Sequence, residues 1–169
     1  MEDPRDLCGD APEEFVRPCW YRAWIENRPE GFDLTTADDY DGLCAELEGL
    51  QREACITAAS VIGPPDPAEQ IDVCADFAAA SDAAACIRGV KVQNLLGRPT
   101  GEFVPLVERC SVLGRGARDA CYRWLGKTVA VLTDGAFARD GCPRLRGGAA
   151  RRACAAGAAT MDEALETFS

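Results

Sequence analysis

The chain has 169 residues, 47% of them hydrophobic, which is enough for a substantial core and excludes a disordered tail. Aromatic residues are few and alanine is abundant, favouring close-packed helices over sheets. The formal net charge of −10 argues against nucleic acid and anionic membranes as partners. The absence of histidine removes Ser-His and Cys-His catalysis, histidine-ligated haem and the common zinc sites.

The chain opens MEDPRDLC, acidic and polar, without the pattern of a signal peptide, and no stretch is apolar enough to span a bilayer. Ten cysteines follow, at 8 and 19, 44 and 55, 74 and 86, 110 and 121, 142 and 154. No two form a CxxC pair, which argues against zinc ribbons, thioredoxin-type centres and cysteine-ligated clusters. Structural disulfides are the remaining reading. They imply an oxidising location, so the chain is expected to be secreted, periplasmic or displayed at a cell surface, with Met1 an initiator set in front of an exported sequence.

The spacing then predicts the connectivity. Residues eleven apart on one continuous helix lie about 16 Å apart, whereas a disulfide needs Cα atoms within roughly 7 Å. Each pair can close only if the chain reverses between its members. A breaker stands in every window: Gly9 and Pro12, Gly49, Ser81-Asp82, Gly114 and Gly116, Gly147-Gly148. Of the roughly 945 pairings that ten cysteines allow, the spacing selects Cys8–Cys19, Cys44–Cys55, Cys74–Cys86, Cys110–Cys121 and Cys142–Cys154.

Between the pairs the breakers are stronger, at 28–31, 63–67, 97–101 and 134–135. The pattern predicts helices over 11–27, 35–48, 50–62, 67–80, 82–97, 102–113, 117–133, 136–146 and 149–167. Only seven residues precede Cys8, so the first helix is either a single turn or the end of a longer segment. The five repeats run over about 1–31, 32–64, 65–98, 99–135 and 136–169, within a single domain. Their register extends beyond the cysteines. One position after the second cysteine come Trp20, Ile56, Ile87, Tyr122 and Ala155; four after it come Ala23, Ala59, Val90, Leu125 and Ala158. These continue a buried helical stripe.

A repeat length in the thirties, paired cysteines and small residues on the second helix, as in Cys86-Ile87-Arg88-Gly89, resemble the helix-turn-helix repeats of the tetratricopeptide and Sel1-like class. The likeness is greatest to the secreted cysteine-rich Sel1 proteins, in which a disulfide links the two helices of each repeat. It implies an all-α solenoid of about five antiparallel hairpins whose concave face binds proteins or peptides. Twin-cysteine CHCH proteins, with both cysteines of a pair on one helix, fit poorly with breakers at the window centres.

The candidates for chemistry are few. Asp33, Asp38, Asp39 and Asp41 lack EF-hand spacing and read as charge at a helix N-terminus. Trp20 and Tyr122 share the buried position. Tyr21 and Trp24 read as surface anchors, with Arg88 and Arg123, at the same repeat position, as polar contacts. The basic run Arg139, Arg144, Arg146, Arg151 and Arg152 is a solvated face or a contact for an acidic partner. No cofactor and no metal is expected. The sequence points to a non-enzymatic interaction module or scaffold. An accessory domain of an extracytoplasmic enzyme, or a thiol-based metal protein, are the alternatives.

Overall fold

The structure, a computed structural model, describes residues 4–26, 34–90, 103–132 and 139–160. Among these there is no strand. The helices are α1 (Pro4–Cys8), α2 (Glu13–Glu26), α3 (Ala37–Cys44), α4 (Gly49–Val61), α5 (Pro67–Ala75), α6 (Ala80–Arg88), α7 (Phe103–Val112), α8 (Arg115–Leu132) and α9 (Gly148–Ala159), with a 3-10 turn at Cys142–Arg144. The all-α expectation holds, and all five predicted disulfides are present, with Cα–Cα separations of 5.5–6.1 Å.

Contacts gather the chain into two compact units, Met1–Lys91 and Val92–Ser169. In the first, α1 pairs with α2, α3 with α4 and α5 with α6, and the second helices pack in succession, α2 on α4 and α4 on α6. In the second, α7 pairs with α8, and α8 packs along α9, which carries the 3-10 turn beside it.

Local chemistry explains the helix ends. Thr36 caps α3: its hydroxyl accepts from the Asp39 amide, while the Asp39 carboxylate accepts from the Thr36 amide at 2.8 Å. Asp66 caps α5, accepting from the Ala68 and Glu69 amides at 2.7 and 3.2 Å, with Pro67 in the first turn. Gly49 (φ 53°) and Gly147 (φ 85°) supply the left-handed backbone that starts α4 and α9.

Several predicted boundaries move. The break in the third repeat lies before Ala80 rather than at Ser81-Asp82, which fall in the first turn of α6. The predicted helix over 67–80 stops at Ala75, and Gly116 is inside α8. The predicted helix over 136–146 gives way by Gly141 to a 3-10 turn, where Pro143 lacks an amide to continue the ladder. The first helix is the short alternative, five residues long. The links at 28–31, 97–101 and 134–135 and the tail beyond Thr160 lie outside the described residues.

The core of the first unit is built around Trp20, Tyr40, Ile56, Ile71 and Ile87, all fully buried. It also holds polar groups that bond one another. Gln70 donates to the Ser60 carbonyl and, at 2.9 Å, to the Ser60 hydroxyl, which donates at 2.7 Å to the Cys86 carbonyl. Tyr40 meets Phe77 edge-on, with ring centroids 6.1 Å apart; burial pushes its phenol above the ordinary range. The core of the second unit holds Phe103, Leu106, Tyr122, Trp124 and Leu125.

Helix–helix contact is close enough to involve backbone. In the first unit Gly89 on α6 lies against the Thr57 carbonyl of α4; in the second, Gly157 on α9 lies against the Arg123 carbonyl, and Gly126 on α8 against the Cys154 carbonyl. A methyl group at any of the three would overlap the facing main chain.

Candidate functional site

The residues expected to form a binding face divide. Tyr21 is 40% exposed on α2, as a surface anchor must be. Trp24 is not available: it is 4% exposed and belongs to the core. Trp24 follows Trp20 by four positions, one helical turn, and so shares the buried side of α2, whereas Tyr21 points about 100° away from Trp20. Trp20 and Tyr122 are buried as expected.

Arg88 closes α6 and is exposed. Its guanidinium meets Glu53 of α4 at 2.8 Å, and Arg17 of α2 meets the same carboxylate oxygen at 2.9 Å. The triad therefore ties three second helices together at their surface. Burial lowers the Arg88 pKa, Glu53 opposes that shift, and Arg17 adds to it. Arg123 is exposed on α8 and makes no ion pair among the described residues. At the same repeat position, then, one arginine is tied to a neighbouring helix and the other, among the described residues, is not.

Two of the four residues of the acidic cluster are held by bonds within the chain. Asp39 belongs to the Thr36 cap, and the Thr36 hydroxyl bond holds its carboxyl below the ordinary range. Asp41 pairs with Arg52. Asp38 is exposed in the first turn of α3, and Asp33 lies outside the described residues. No group of three metal-ligating side chains comes together among the described residues. No cysteine is free, and a disulfide sulfur is not a thiolate ligand.

A set of arginines that the sequence reading passed over turns out to be the most regular polar feature. Arg52, Arg118 and Arg151 each stand three positions before the second cysteine of a pair. Each donates to a main-chain carbonyl at the end of the preceding turn. Arg52 Nη1 reaches the Cys44 carbonyl at 2.9 Å. Arg118 reaches the Leu113 carbonyl with Nε at 2.9 Å and Nη2 at 2.7 Å. Arg151 Nη1 reaches the Leu145 carbonyl at 3.2 Å. The Cys44 carbonyl also accepts from the Leu47 amide at 3.1 Å, so there the arginine adds a second donor to a carbonyl at a helix end. Tabulating polar as well as apolar positions against the cysteines would have exposed the pattern.

The surroundings of these arginines differ. Arg52 also contacts Asp41 of α3 and, at 2.8 Å, Asp82 of α6; its side chain is 19% exposed. The bond to Asp82 chiefly raises its pKa, keeping the charge fixed. Arg118 and Arg151 have no carboxylate partner among the described residues. The charge of the two units reflects this. Through Lys91 the chain carries 20 acidic and 7 basic residues; from Val92 onward it carries 8 acidic and 11 basic, completing the totals of 28 and 18. No helix among the described residues is long and apolar enough to cross a membrane. The chain matches no protein-family model, no curated protein and no solved structure.

Proposed function

We propose that the protein is a non-catalytic interaction module, a disulfide-stapled α-solenoid of the kind the Sel1-like and tetratricopeptide resemblance implies, working in a secreted, periplasmic or cell-surface setting. The observation that carries this reading is a helix register shared by the two units. Gly89 and Gly157 both stand three positions after a second cysteine, and both lie on the carbonyl two positions after the preceding second cysteine, Thr57 in one unit and Arg123 in the other. Ser60 and Gly126 both stand five positions after a second cysteine. Ser60 bonds the next cysteine's carbonyl, Cys86, while Gly126 lies against the next one's, Cys154.

Successive second helices that meet at the same register in different repeats favour a regular stack, and a stack offers equivalent side chains in a row to an extended partner. At this repeat position, two after the second cysteine, Tyr21 and Arg88 are exposed in the first unit and Arg123 in the second. The five disulfides and the lack of a spanning helix among the described residues are consistent with an oxidising compartment. The accessory-domain alternative needs carboxylates held together with a raised pKa; Asp39 and Asp66 serve instead as caps, and Asp41, Glu53 and Asp82 as ion-pair partners.

The test is capture of a partner from the native extracytoplasmic fraction by crosslinking to the oxidised chain. Tyr21→Ala should weaken capture most, since aromatic anchors dominate such interfaces. Arg88→Ala and Arg123→Ala should act through salt dependence. A folded triple variant that captures as well as the native chain sinks the assignment of these residues.

A further inference from the structure

The capping arginine meets two different fates. At Arg52 the charge is neutralised twice, by Asp41, three positions before the first cysteine of its pair, and by Asp82, four positions before the next second cysteine. At Arg118 the same backbone cap is made to Leu113. The two positions that would supply carboxylates, however, hold Val107 and Ala150. Because α4 with α6 and α8 with α9 share a register, Ala150 holds on α9 the repeat position that Asp82 holds on α6.

Three more arginines stand near the starts of α8 and α9. Arg115 is one helical turn before Arg118 on α8, and Arg151 and Arg152 follow Ala150 on α9; all are exposed, and none makes an ion pair among the described residues. Neither α8 nor α9 has an acidic residue in its first turn. Arginines at the positive end of a helix dipole are unfavourable unless an anion joins them. Asp119, the nearest carboxylate in sequence, is turned about 100° around α8 from Arg118 and bonds none of these arginines.

We propose that Arg118, with Arg115, Arg151 and Arg152, receives a carboxylate-rich segment of a partner protein, whose acidic side chains take the places that Asp41 and Asp82 fill at Arg52. The inference rests on the interaction-module reading and names the partner's chemistry. Carboxylate is the group the chain itself uses against this arginine, and the planar guanidinium fork matches it bidentately. Because Arg118 is held by the Leu113 carbonyl, it presents its charge with little conformational freedom left to lose.

The probe is a fluorescently labelled peptide of aspartate and glutamate, titrated by anisotropy at low and at physiological ionic strength. The native chain should bind it, more weakly as salt rises. Arg118→Gln should cost about tenfold or more in affinity. Val107→Asp, which supplies an internal carboxylate where Asp41 stands in the other unit, should cost as much while leaving the melting temperature equal or higher; it keeps the test decisive if Arg118→Gln unfolds. Arg17→Gln, the same charge change in the first unit, should alter affinity less than about twofold. Equal losses for Arg118→Gln and Arg17→Gln, or no binding at low salt, overturn the site. So does a polyphosphate that binds more tightly than the peptide and is indifferent to Arg118→Gln. If the native chain and Arg118→Gln capture a native partner equally, the site falls and the interaction reading stands; if neither captures anything, both fall.

Discussion

Arg52 shows how much one side chain can organise when each of its three nitrogens donates. It joins the end of α3 through the Cys44 carbonyl, the side of α3 through Asp41, and α6 of the next repeat through Asp82. Removing it strands a largely buried carboxylate: Asp82 is 14% exposed, whereas Asp41 is 58% exposed. Arg52→Ala should therefore destabilise by about 2 kcal/mol, and Asp41→Ala by less than about 1 kcal/mol, measured by urea melts of the oxidised protein. Comparable losses from both would place the energy in the exposed pair instead. A pH effect belongs to the same scale. The Asp39 pKa is depressed in the folded state by the Thr36 bonds, so its contribution is present above the unfolded carboxyl value of about 3.9 and is lost as pH falls through the lower folded value. Thr36→Ala should cost about 1 kcal/mol at neutral pH, and its deficit relative to the native chain should shrink in melts taken below about pH 4.

The helices meet through their backbones, which makes glycine the sensitive residue at this scale. Gly157→Ala and Gly126→Ala would each push a methyl group into a facing carbonyl, and each should cost about 1–3 kcal/mol as α8 and α9 separate. Gly114→Ala meets nothing within 4 Å and has no positive φ, so its melting temperature should stay near the native value. A tolerated Gly157→Ala would mean that α9 packs elsewhere. The staples should differ as well. Cys8–Cys19 joins a five-residue helix to α2, and Cys19 is the one cysteine of the ten that is not buried. Cys110–Cys121 is fully buried between longer helices. Replacing the central pair by alanine should cost the usual 2–4 kcal/mol, roughly, and the first pair less. Thermal melts of the two double variants decide it.

Across the whole molecule, the cysteine arithmetic made the connectivity and the helical class legible because each staple is local and each window holds a breaker. Trp20, Ile56, Ile87, Tyr122 and Leu125 were found in the core for the same reason: a buried stripe repeats with the helix. Trp24 was misplaced because a residue one turn from a buried position was judged by its type instead of its angle. The break before Ala80 was missed because Ser81-Asp82 resembles a cap, while the chain spends Asp82 on Arg52 from another repeat. Arg118 was missed because its importance lies in what is lacking around it, which only comparison with Arg52 reveals. The stripe does not hold everywhere: Ala155 is exposed, whereas Trp20, Ile56, Ile87 and Tyr122 at the same position are buried.

The disulfides join residues only 11 or 12 positions apart, and none spans two repeats. Each cysteine's native mate is thus the other member of its own closely spaced pair, and closing so short a loop is fast compared with bringing distant segments together. As the chain emerges into an oxidant, one staple can close before the next pair arrives. Refolding of the fully reduced chain should then reach the native bonds with few scrambled isomers and little need of an isomerase. The order of synthesis becomes the order of oxidation, and a protein of ten cysteines searches no more than five separate problems of two.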